Sequence, residues 1–208
     1  MISGETLLTF FTASLLVSMA PGPDNIFVLT QSAVHGRHAG LIVVLGLSTG
    51  LIVHTVAVAF GVAVIFQTSL VAFSVLKIFG ACYLVYLAWK SFRSSGKEVQ
   101  GGSESEVNLW GLYRRGVIMN ITNPKVSIFF LAFIPQFADP SRGSVPLQIL
   151  MFGCLFILST LFVFGSIALL AGTLGHWFSS SERAQKVLNR IAGVVFLGLA
   201  LKLVTTER

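Results

Sequence analysis

Charged side chains are scarce in this chain. Asp, Glu, Lys and Arg make up 11% of its 208 residues, whereas they make up about 25% of an average soluble domain. Hydrophobic residues make up 54% and lie in long continuous runs. A water-soluble domain is therefore excluded, and the composition predicts an integral membrane protein with several helices. A membrane β-barrel is also excluded, because its strands would alternate polar and apolar residues.

Cysteine is nearly absent. Cys82 and Cys154 stand alone within apolar runs, with no CxxC pair and no histidine at metal-ligand spacing. The four histidines form no HExxH pattern. We therefore expect no metal site and no cofactor. Both cysteines are predicted to be small buried hydrophobic residues.

A phosphate-binding loop of the GxxxxGK[ST] type is also missing, which disfavours a nucleotide-driven pump. The net charge of +6 comes mainly from basic residues in the loops between apolar runs. Such residues indicate membrane topology and contact with anionic lipid headgroups rather than with nucleic acid. A membrane-embedded enzyme of an unfamiliar kind stays an alternative.

One apolar run, residues 7–29, is interrupted by the sequence Pro21-Gly22-Pro23-Asp24. Two prolines remove two backbone donors and break a helix, and the glycine between them lets the chain bend. A carboxylate inside a membrane span costs at least ~2.5 kcal/mol, so it normally faces a cavity or a partner. The sequence therefore predicts a broken first helix with Asp24 at the break.

A second interruption echoes the first. The run at residues 116–137 contains Asn120-Ile-Thr-Asn-Pro-Lys125, and aligning Pro124 with Pro23 places Lys125 on Asp24. Both sequences have a proline followed by a charge within an apolar span. We interpret the chain as two related halves, each of which opens with a helix broken at Pro21–Asp24 or at Asn123–Lys125.

The predicted fold is all-α with six transmembrane helices in an inverted three-plus-three repeat, because an odd number of spans inverts the second half. The halves are residues 1–92 and 112–208, joined by a polar linker at 93–111, and together they form one membrane domain. The helices are predicted at about residues 5–31, 39–66, 70–92, 116–137, 146–170 and 187–204, with a polar turn at 176–183.

Basic residues set the predicted orientation. The loops after helices 1, 3 and 5, with their flanks, carry most of them: Arg37, Lys90, Arg93, Lys97, Arg114, Arg115, Arg183, Lys186 and Arg190. The opposite side carries Arg142, Lys202 and Arg208. The positive-inside rule therefore predicts that these three loops are cytoplasmic and that both termini are periplasmic.

The two breaks suggest a binding site for a zwitterion. Half-helix ends expose N–H groups that attract carboxylates and carbonyl groups that attract cations. Asp24 would meet an ammonium group and Lys125 a carboxylate, while Asn25, Asn120 and Asn123 would supply neutral hydrogen bonds. Two other interpretations stay open: Asp24 and Lys125 neutralise each other, or Asp24 merely caps its half-helix.

Asp24 is the only acidic residue deep in a predicted span, so it is the best candidate for a proton carrier. His54 is a second candidate, or else a packed polar residue. Lys77 either snorkels to the interface or faces a polar interior, and Tyr83 is an amphipathic aromatic residue that would support the site.

Gly46 and Gly50 form a GxxxG pair in the second predicted helix. Such a pair allows close contact between helices, either within the monomer or at an oligomer seam. It therefore permits a homodimer without demanding one.

Four motifs together resemble the LysE/RhtB superfamily of bacterial amino-acid exporters, whose members are associated with basic amino acids, with homoserine and threonine, or with leucine and other neutral ones. They are Ala20-Pro-Gly-Pro-Asp-Asn25, Lys77-x-x-Gly-Ala-x-Tyr-Leu84, Asn120-x-x-Asn-Pro-Lys125 and Phe133-x-Pro-Gln-Phe137. They occur in order along nearly the whole chain.

The resemblance implies an exporter, not an enzyme. It implies that a cytoplasmic amino acid, with a neutral one favoured, crosses the bacterial inner membrane at the expense of the proton-motive force. The substrate-binding residues would be the motif residues at the two breaks, including Pro21, Gly22, Pro23 and Pro124. The motifs do not choose among amino acids, and export of another small metabolite stays an alternative.

Overall fold

The computed structural model describes residues 2–62, 70–93, 108–180 and 182–205. These residues form helices and short turns, and none of them lies in a β-strand. The predicted all-α class is confirmed. Most of the predicted linker falls outside the described residues.

Eight α-helices are present in the described residues. They are α1 (Gly4–Met19), α2 (Pro23–His35), α3 (Arg37–Ala57), α4 (Leu70–Arg93), α5 (Leu109–Ile121), α6 (Pro124–Ile128), α7 (Val145–Ser180) and α8 (Glu182–Thr205). A π-helical turn at Val58–Val62 extends α3. The predicted helix centres are correct, and most of the differences lie at helix ends.

The first predicted break is present. Helix α1 ends at Met19, α2 begins at Pro23, and the two axes differ by 61°. Pro23 is the first residue of α2. A backbone N–H at this position would have no acceptor within the helix, so proline costs no hydrogen bond there. Gly22 precedes it in an extended conformation, so the chain turns within three residues.

The second predicted break is also present, between α5 and α6, with a bend of 48°. The winding of the chain beyond this break was not predicted. After five residues α6 widens into a π-helical turn at Phe129–Phe133 and then tightens into a 3₁₀ turn at Ile134–Phe137. Pro135 has no N–H to continue an α-helical ladder, which accounts for the change of winding.

Two helix ends differ from the prediction. Helix α5 begins at Leu109 instead of Gly116, because the side chain of Asn108 caps it by accepting a hydrogen bond from the Gly111 N–H at 2.9 Å. Helix α7 continues to Ser180, so the polar turn predicted from residue 176 is wrong up to that point. Polar residues lower the hydropathy of a segment but do not by themselves stop a helix.

Phenylalanine builds the larger of two hydrophobic clusters. Its fully buried rings come from α1, from the irregular segment after α6, from α7 and from α8, and they include Phe10, Phe129, Phe130, Phe133, Phe152 and Phe196. The smaller cluster joins α2, α3 and α7 around Val28, Val43, Val44, Leu47 and Phe164. Both clusters reach the region of the first break, through Val17 and Phe164.

Helices α3 and α5 pack with their backbones in close contact. A Cβ on Gly46 would collide with the carbonyl oxygen of Tyr113, and a Cβ on Gly116 would lie 2.8 Å from the carbonyl oxygen of Val43. The hydroxyls of Thr49 and Tyr113 join at 3.0 Å beside this contact. Of the two interpretations of the GxxxG pair, packing within the monomer is therefore confirmed.

The cysteine prediction is wrong. Cys82 and Cys154 are both free thiols with exposed side chains. They lie on outward faces of α4 and α7, where apolar residues are also exposed. In a protein surrounded by lipid an exposed position can be as apolar as the core, so hydrophobicity alone does not predict burial.

In the described part of the chain, two helices are long and apolar enough to cross a membrane, namely Arg37–Gly61 and Val145–Ala171. Counting each bent pair as one span raises the number to four within the described residues. The third and sixth predicted spans correspond to α4 and α8, each 24 residues long. Their crossing of the membrane stays a prediction.

The turn before α7 is held by Asp139. Its carboxylate accepts hydrogen bonds from the backbone and side chain of Ser141 and forms a 2.9 Å ion pair with Arg142. The hydrogen bonds from Ser141, together with Arg142, hold the pKa of Asp139 below its ordinary value. This turn fixes the point where the chain re-enters a helix at Val145.

Replacing Gly116 with alanine should destabilise the fold, because the new methyl group would press on the carbonyl of Val43. We expect the free energy of unfolding to fall by about 1–3 kcal/mol, as for overpacked cores. The measurement is thermal unfolding of the purified protein in detergent.

Gly165→Ala is the matched control, because a Cβ there would meet no atom within 4 Å. It should leave the stability unchanged or raise it by up to about 1 kcal/mol, the difference in helix propensity. Equal melting temperatures for the two variants would contradict the proposed α3–α5 contact.

Candidate functional site between the two helix breaks

The structure brings the two breaks together. The polar residues predicted to form the site are nearly all buried, with exposed fractions of 2% for Asp24, 9% for Asn25, 1% for Asn120, 5% for Asn123 and 8% for Lys125. They come from segments about a hundred residues apart in sequence. The first break is completed by side chains from the second one.

Lys125 crosses from the second break to the first. Its ammonium group donates a 3.0 Å hydrogen bond to the carbonyl oxygen of Ala20 and a 3.4 Å bond to that of Val17. These carbonyls end α1, where the helix dipole favours a cation. Lys125 therefore closes the carbonyl end of the first half-helix.

Asp24, at the first break, also contacts a residue of the second break. Its Oδ2 accepts a 3.3 Å hydrogen bond from the side-chain amide of Asn120, at the end of α5. Its other oxygen, Oδ1, is buried without a hydrogen-bond partner. The two charged groups line one cavity but are not joined by a direct ion pair, so simple neutralisation of Asp24 by Lys125 is not what the structure shows.

The amide end of the first break has no side-chain cap. Gly22 is the N-cap residue of α2, and Asp24 is the second residue of the helix, so the interpretation of Asp24 as the cap is wrong. The first hydrogen bond within α2 comes from the N–H of Ile26. Helix geometry leaves the N–H groups of Asp24 and Asn25 without an intrahelical acceptor.

Gly22 also makes room for the lysine. A Cβ at this position would lie 3.2 Å from the Nζ of Lys125. Asn25 spans the same break by donating a 2.8 Å hydrogen bond to the carbonyl oxygen of Ser18. The sequence Pro21–Asn25 thus provides both the bend and the space for a cation from the other half.

The second break is capped more completely. The Oδ1 of Asn123 accepts a 3.0 Å hydrogen bond from the backbone N–H of Lys125. The carbonyl oxygen of Asn120 accepts a 3.3 Å hydrogen bond from Nε2 of His54, which must carry the proton because a carbonyl only accepts. His54 therefore contacts the second break, and the centre of its ring lies 5.5 Å from that of Phe130.

A small cavity lies between the breaks. Its walls combine the charged and amide side chains with apolar ones, and they consist of Val17, Ser18, Asp24, Leu51, Asn120, Lys125, Val126, Phe156, Thr160 and Phe164. The space open to the centres of water molecules is about 20 Å³. That volume holds water but no amino acid, so the site has to widen before it can admit one.

Four buried polar atoms around this site lack a partner. They are Oδ1 of Asp24, Oδ1 of Asn25, Oδ1 of Asn120 and Nδ2 of Asn123. Most buried polar groups in proteins are hydrogen-bonded, so a cluster of exceptions points to a place where water or a ligand binds.

None of the three predicted support residues, His54, Lys77 and Tyr83, lines the cavity, whereas two polar residues that were not predicted do. Lys77 and Tyr83 lie on α4, away from the cavity walls, and the ring of Tyr83 contacts that of Tyr86. Ser18 and Thr160 line the cavity with their hydroxyls 3.3 Å apart. Hydroxyl residues are common in apolar helices, so no sequence signal separates these two from the others.

One serine in α3 matches the spacing of hydrolase nucleophiles. The sequence Gly46-Leu-Ser-Thr-Gly50 has the form GxSxG. Ser48, however, lies in the middle of the helix and donates to the carbonyl of Val44 at 2.9 Å. A nucleophile elbow requires a sharp turn between a strand and a helix, so this match is not a catalytic serine.

Apolar helices that break around a polar cavity define a helical membrane protein. The comparison with known proteins is specific: the profile of the LysE type translocators matches residues 15–207, and the chain belongs to this family.

Several relatives cover nearly the whole chain. An uncharacterized membrane protein of Vibrio cholerae is 30% identical over 201 residues, 96% of this chain and 97% of the relative. A homoserine/homoserine lactone efflux protein of Salmonella typhimurium is 32% identical over 193 residues, 93% of each chain. A leucine efflux protein of Salmonella choleraesuis is 27% identical over 206 residues, 96% of this chain and 94% of the relative. No solved structure matches the chain.

Family membership confirms two predictions. The resemblance to the LysE/RhtB exporters is correct, and the protein is a membrane transporter, not an enzyme. Within the described residues, no group of three or more His, Cys, Asp or Glu side chains is placed to hold a metal ion.

Replacing Lys125 with methionine should destabilise the protein, because the carbonyls of Val17 and Ala20 would lose a buried donor. We expect a loss of about 1–3 kcal/mol in the free energy of unfolding, the cost of a buried group left unsatisfied. Thermal unfolding in detergent measures it. Lys90→Met, at an exposed position near the end of α4, is the control and should melt like the wild type. A wild-type melting temperature for Lys125→Met would contradict the closing role of the lysine.

Proposed function

We propose that this protein exports neutral amino acids from the cytoplasm, driven by the proton-motive force. The observation that carries the proposal is a buried cavity where two broken helices bring a carboxylate and an ammonium together, surrounded by polar atoms that lack partners. An amino acid carries the same two charges. Relatives named as homoserine/homoserine lactone and leucine efflux proteins support this choice.

The ammonium of the substrate would bind Asp24, whose Oδ1 has no partner. The carboxylate of the substrate would bind the uncapped N-terminus of α2, where the helix dipole is positive. Lys125 contributes as well, because an ammonium has three donors and the structure uses two of them on Ala20 and Val17. The site thus recognises the groups that all α-amino acids share.

The rest of the cavity favours a neutral side chain. Among the described residues, its walls hold no charged side chain besides Asp24 and Lys125, and five of the other lining residues are apolar: Val17, Leu51, Val126, Phe156 and Phe164. A third charge would have no counter-ion there and would cost several kcal/mol to bury. Lysine and arginine are therefore poor substrates in this proposal.

Six membrane spans in an inverted repeat remain part of the proposal, and helix packing supports them. The contact of α3 with α5 has a counterpart in the contact of α7 with α1, as a two-fold relation between halves requires. Helices α4 and α8 pack against each other, and so do α3 and α7. In the proposed repeat, each of these helices therefore contacts its own counterpart in the other half. The halves are residues 1–92 and 112–208.

Transport needs the cavity to open on one side at a time. The walls come from both proposed halves, so a rocking motion of one half against the other would expose the cavity alternately to the two faces of the membrane. Asp24 is the proposed proton carrier, because its carboxylate is the acidic group in the cavity wall and contacts the site that the substrate would occupy.

The proposed location is the bacterial inner membrane, with both termini periplasmic, in contact with the lipid bilayer. A homodimer is compatible with this arrangement. Gly46 and Gly50 do not supply its interface, since they pack inside the monomer.

Asp24→Asn should abolish export while the protein is still made and inserted, because the substrate ammonium would lose its counter-ion and the proton its carrier. Bacteria that overexpress each variant are loaded with dipeptides, and the amino acids released into the medium are quantified. Glu5→Gln is the control, since Glu5 is exposed in the first turn of α1. Wild-type export by Asp24→Asn would remove Asp24 from the mechanism. Equal release from wild-type and empty-vector cells for every amino acid would point to another metabolite as cargo.

A reporter enzyme fused after Arg208 should be active only on the outer face of the membrane. An alkaline phosphatase fusion, which folds only after export, is expected to be active, and a cytoplasmic reporter at the same position is expected to be silent. The linker at residues 93–111 is the matched internal position and should give the opposite pattern. A phosphatase that is inactive at Arg208 but active in the linker would reverse the proposed topology.

A further inference from the structure

We propose that Ser18 and Thr160 form a subsite that binds a hydroxyl group on the side chain of the transported amino acid. The inference rests on the proposed function and adds a preference among neutral substrates.

The two hydroxyls differ from the other buried ones. In the described part of the chain, seven serine and threonine side chains are buried: Ser14, Ser18, Ser32, Ser48, Thr55, Ser159 and Thr160. Five of them donate to a carbonyl oxygen of their own helix, three or four residues earlier. Ser18 and Thr160 do not, and among these residues the hydroxyl of each bonds only to that of the other, at 3.3 Å.

This pairing leaves one proton unused. Each hydroxyl has one proton to donate, and a single bond between two hydroxyls consumes only one of the two. The second proton is buried, because Ser18 is 3% exposed and Thr160 is 2% exposed. Leaving a buried donor without an acceptor is costly, so the pair needs a further partner.

The cavity is where that partner would lie. Both residues belong to its wall, Ser18 close to the first break and Thr160 across from it on α7. The cavity has room for water, which would satisfy the pair before a substrate enters. A ligand that displaces the water must replace its hydrogen bonds or lose affinity.

A hydroxyl group is the ligand chemistry that fits. The pair offers one donor and several free lone pairs, and a hydroxyl uses both because it accepts and donates. The ammonium and carboxylate of an amino acid already have places at Asp24 and at the start of α2. Two further wall residues, Phe156 and Phe164, are apolar and suit the carbon chain of a short hydroxy amino acid.

The test compares two substrates that differ only at this group. L-Norvaline is L-homoserine with a methyl group in place of the hydroxyl. The purified protein is reconstituted into lipid vesicles, and the exchange rates of the two radiolabelled amino acids are measured side by side. The wild type should transport homoserine ~10-fold better than norvaline, the preference that one net hydrogen bond produces.

Thr160→Val removes the hydroxyl with little change in shape, and it should lower the ratio of homoserine to norvaline rates ~10-fold. Thr160→Ser keeps a hydroxyl and should retain most of the ratio. If Thr160→Val fails to fold, Ser18→Ala provides the same comparison from the other member of the pair. Ser159→Ala is the matched control, since its buried hydroxyl bonds to the carbonyl of Phe156 and its loss should leave the ratio unchanged.

The outcomes separate this inference from the proposed function. A wild type that transports norvaline as well as homoserine would overturn the subsite and leave the exporter intact. So would an unchanged ratio in both Thr160→Val and Ser18→Ala, which would mean that the pair binds water only. A wild type that exchanges neither amino acid, nor leucine, would overturn both.

Discussion

The structure depends on a constraint of the membrane interior: a backbone group without water must find another partner. Each helix break frees N–H groups on one side and carbonyl groups on the other. Here side chains of the second break complete the first, since the ammonium of Lys125 closes the carbonyl end of α1 and the amide of Asn120 reaches Asp24 beside the start of α2. The first break is not complete alone, whereas Asn123 caps the second from within. The polar cavity lies where these contacts meet, and the two surrounding hydrophobic clusters hold the segments together.

Much of this arrangement was predictable, because proline and charge have strong local meaning in an apolar run. The two breaks, the burial of Asp24 and Lys125 and the membrane class could all be inferred from residue type and spacing. The partners of the two charges could not. Whether Lys125 contacts a carboxylate or two carbonyl oxygens depends on how the chain bends around Gly22. Nothing in the sequence states that the Nζ of Lys125 lies 3.2 Å from the position that a Cβ on Gly22 would occupy.

Other differences have a common physical origin. The exposed cysteines and the π-helical turn at Phe129–Phe133 both concern apolar stretches in which neighbouring residues differ little in hydropathy. In lipid, hydropathy no longer separates the inside of the protein from its outside. Small residues are more informative, because Gly46 and Gly116 mark where two backbones touch. The hydroxyl pair of Ser18 and Thr160 could be recognised only in the structure. These two side chains lack the hydrogen bond to a carbonyl of their own helix that the other buried hydroxyls make.

The irregular winding after the second break has a consequence for the energy landscape of the transporter. If the inward-open and outward-open states arise when two related halves swap conformations, equivalent halves would give states of equal energy. These halves are not equivalent: a regular helix of 13 residues comes after the first break, whereas five α-helical residues, a π turn and a 3₁₀ turn come after the second. The two open states would therefore differ in energy even without a gradient. The protein would rest preferentially toward one side of the membrane, and the proton gradient of the proposed mechanism would act with or against that bias.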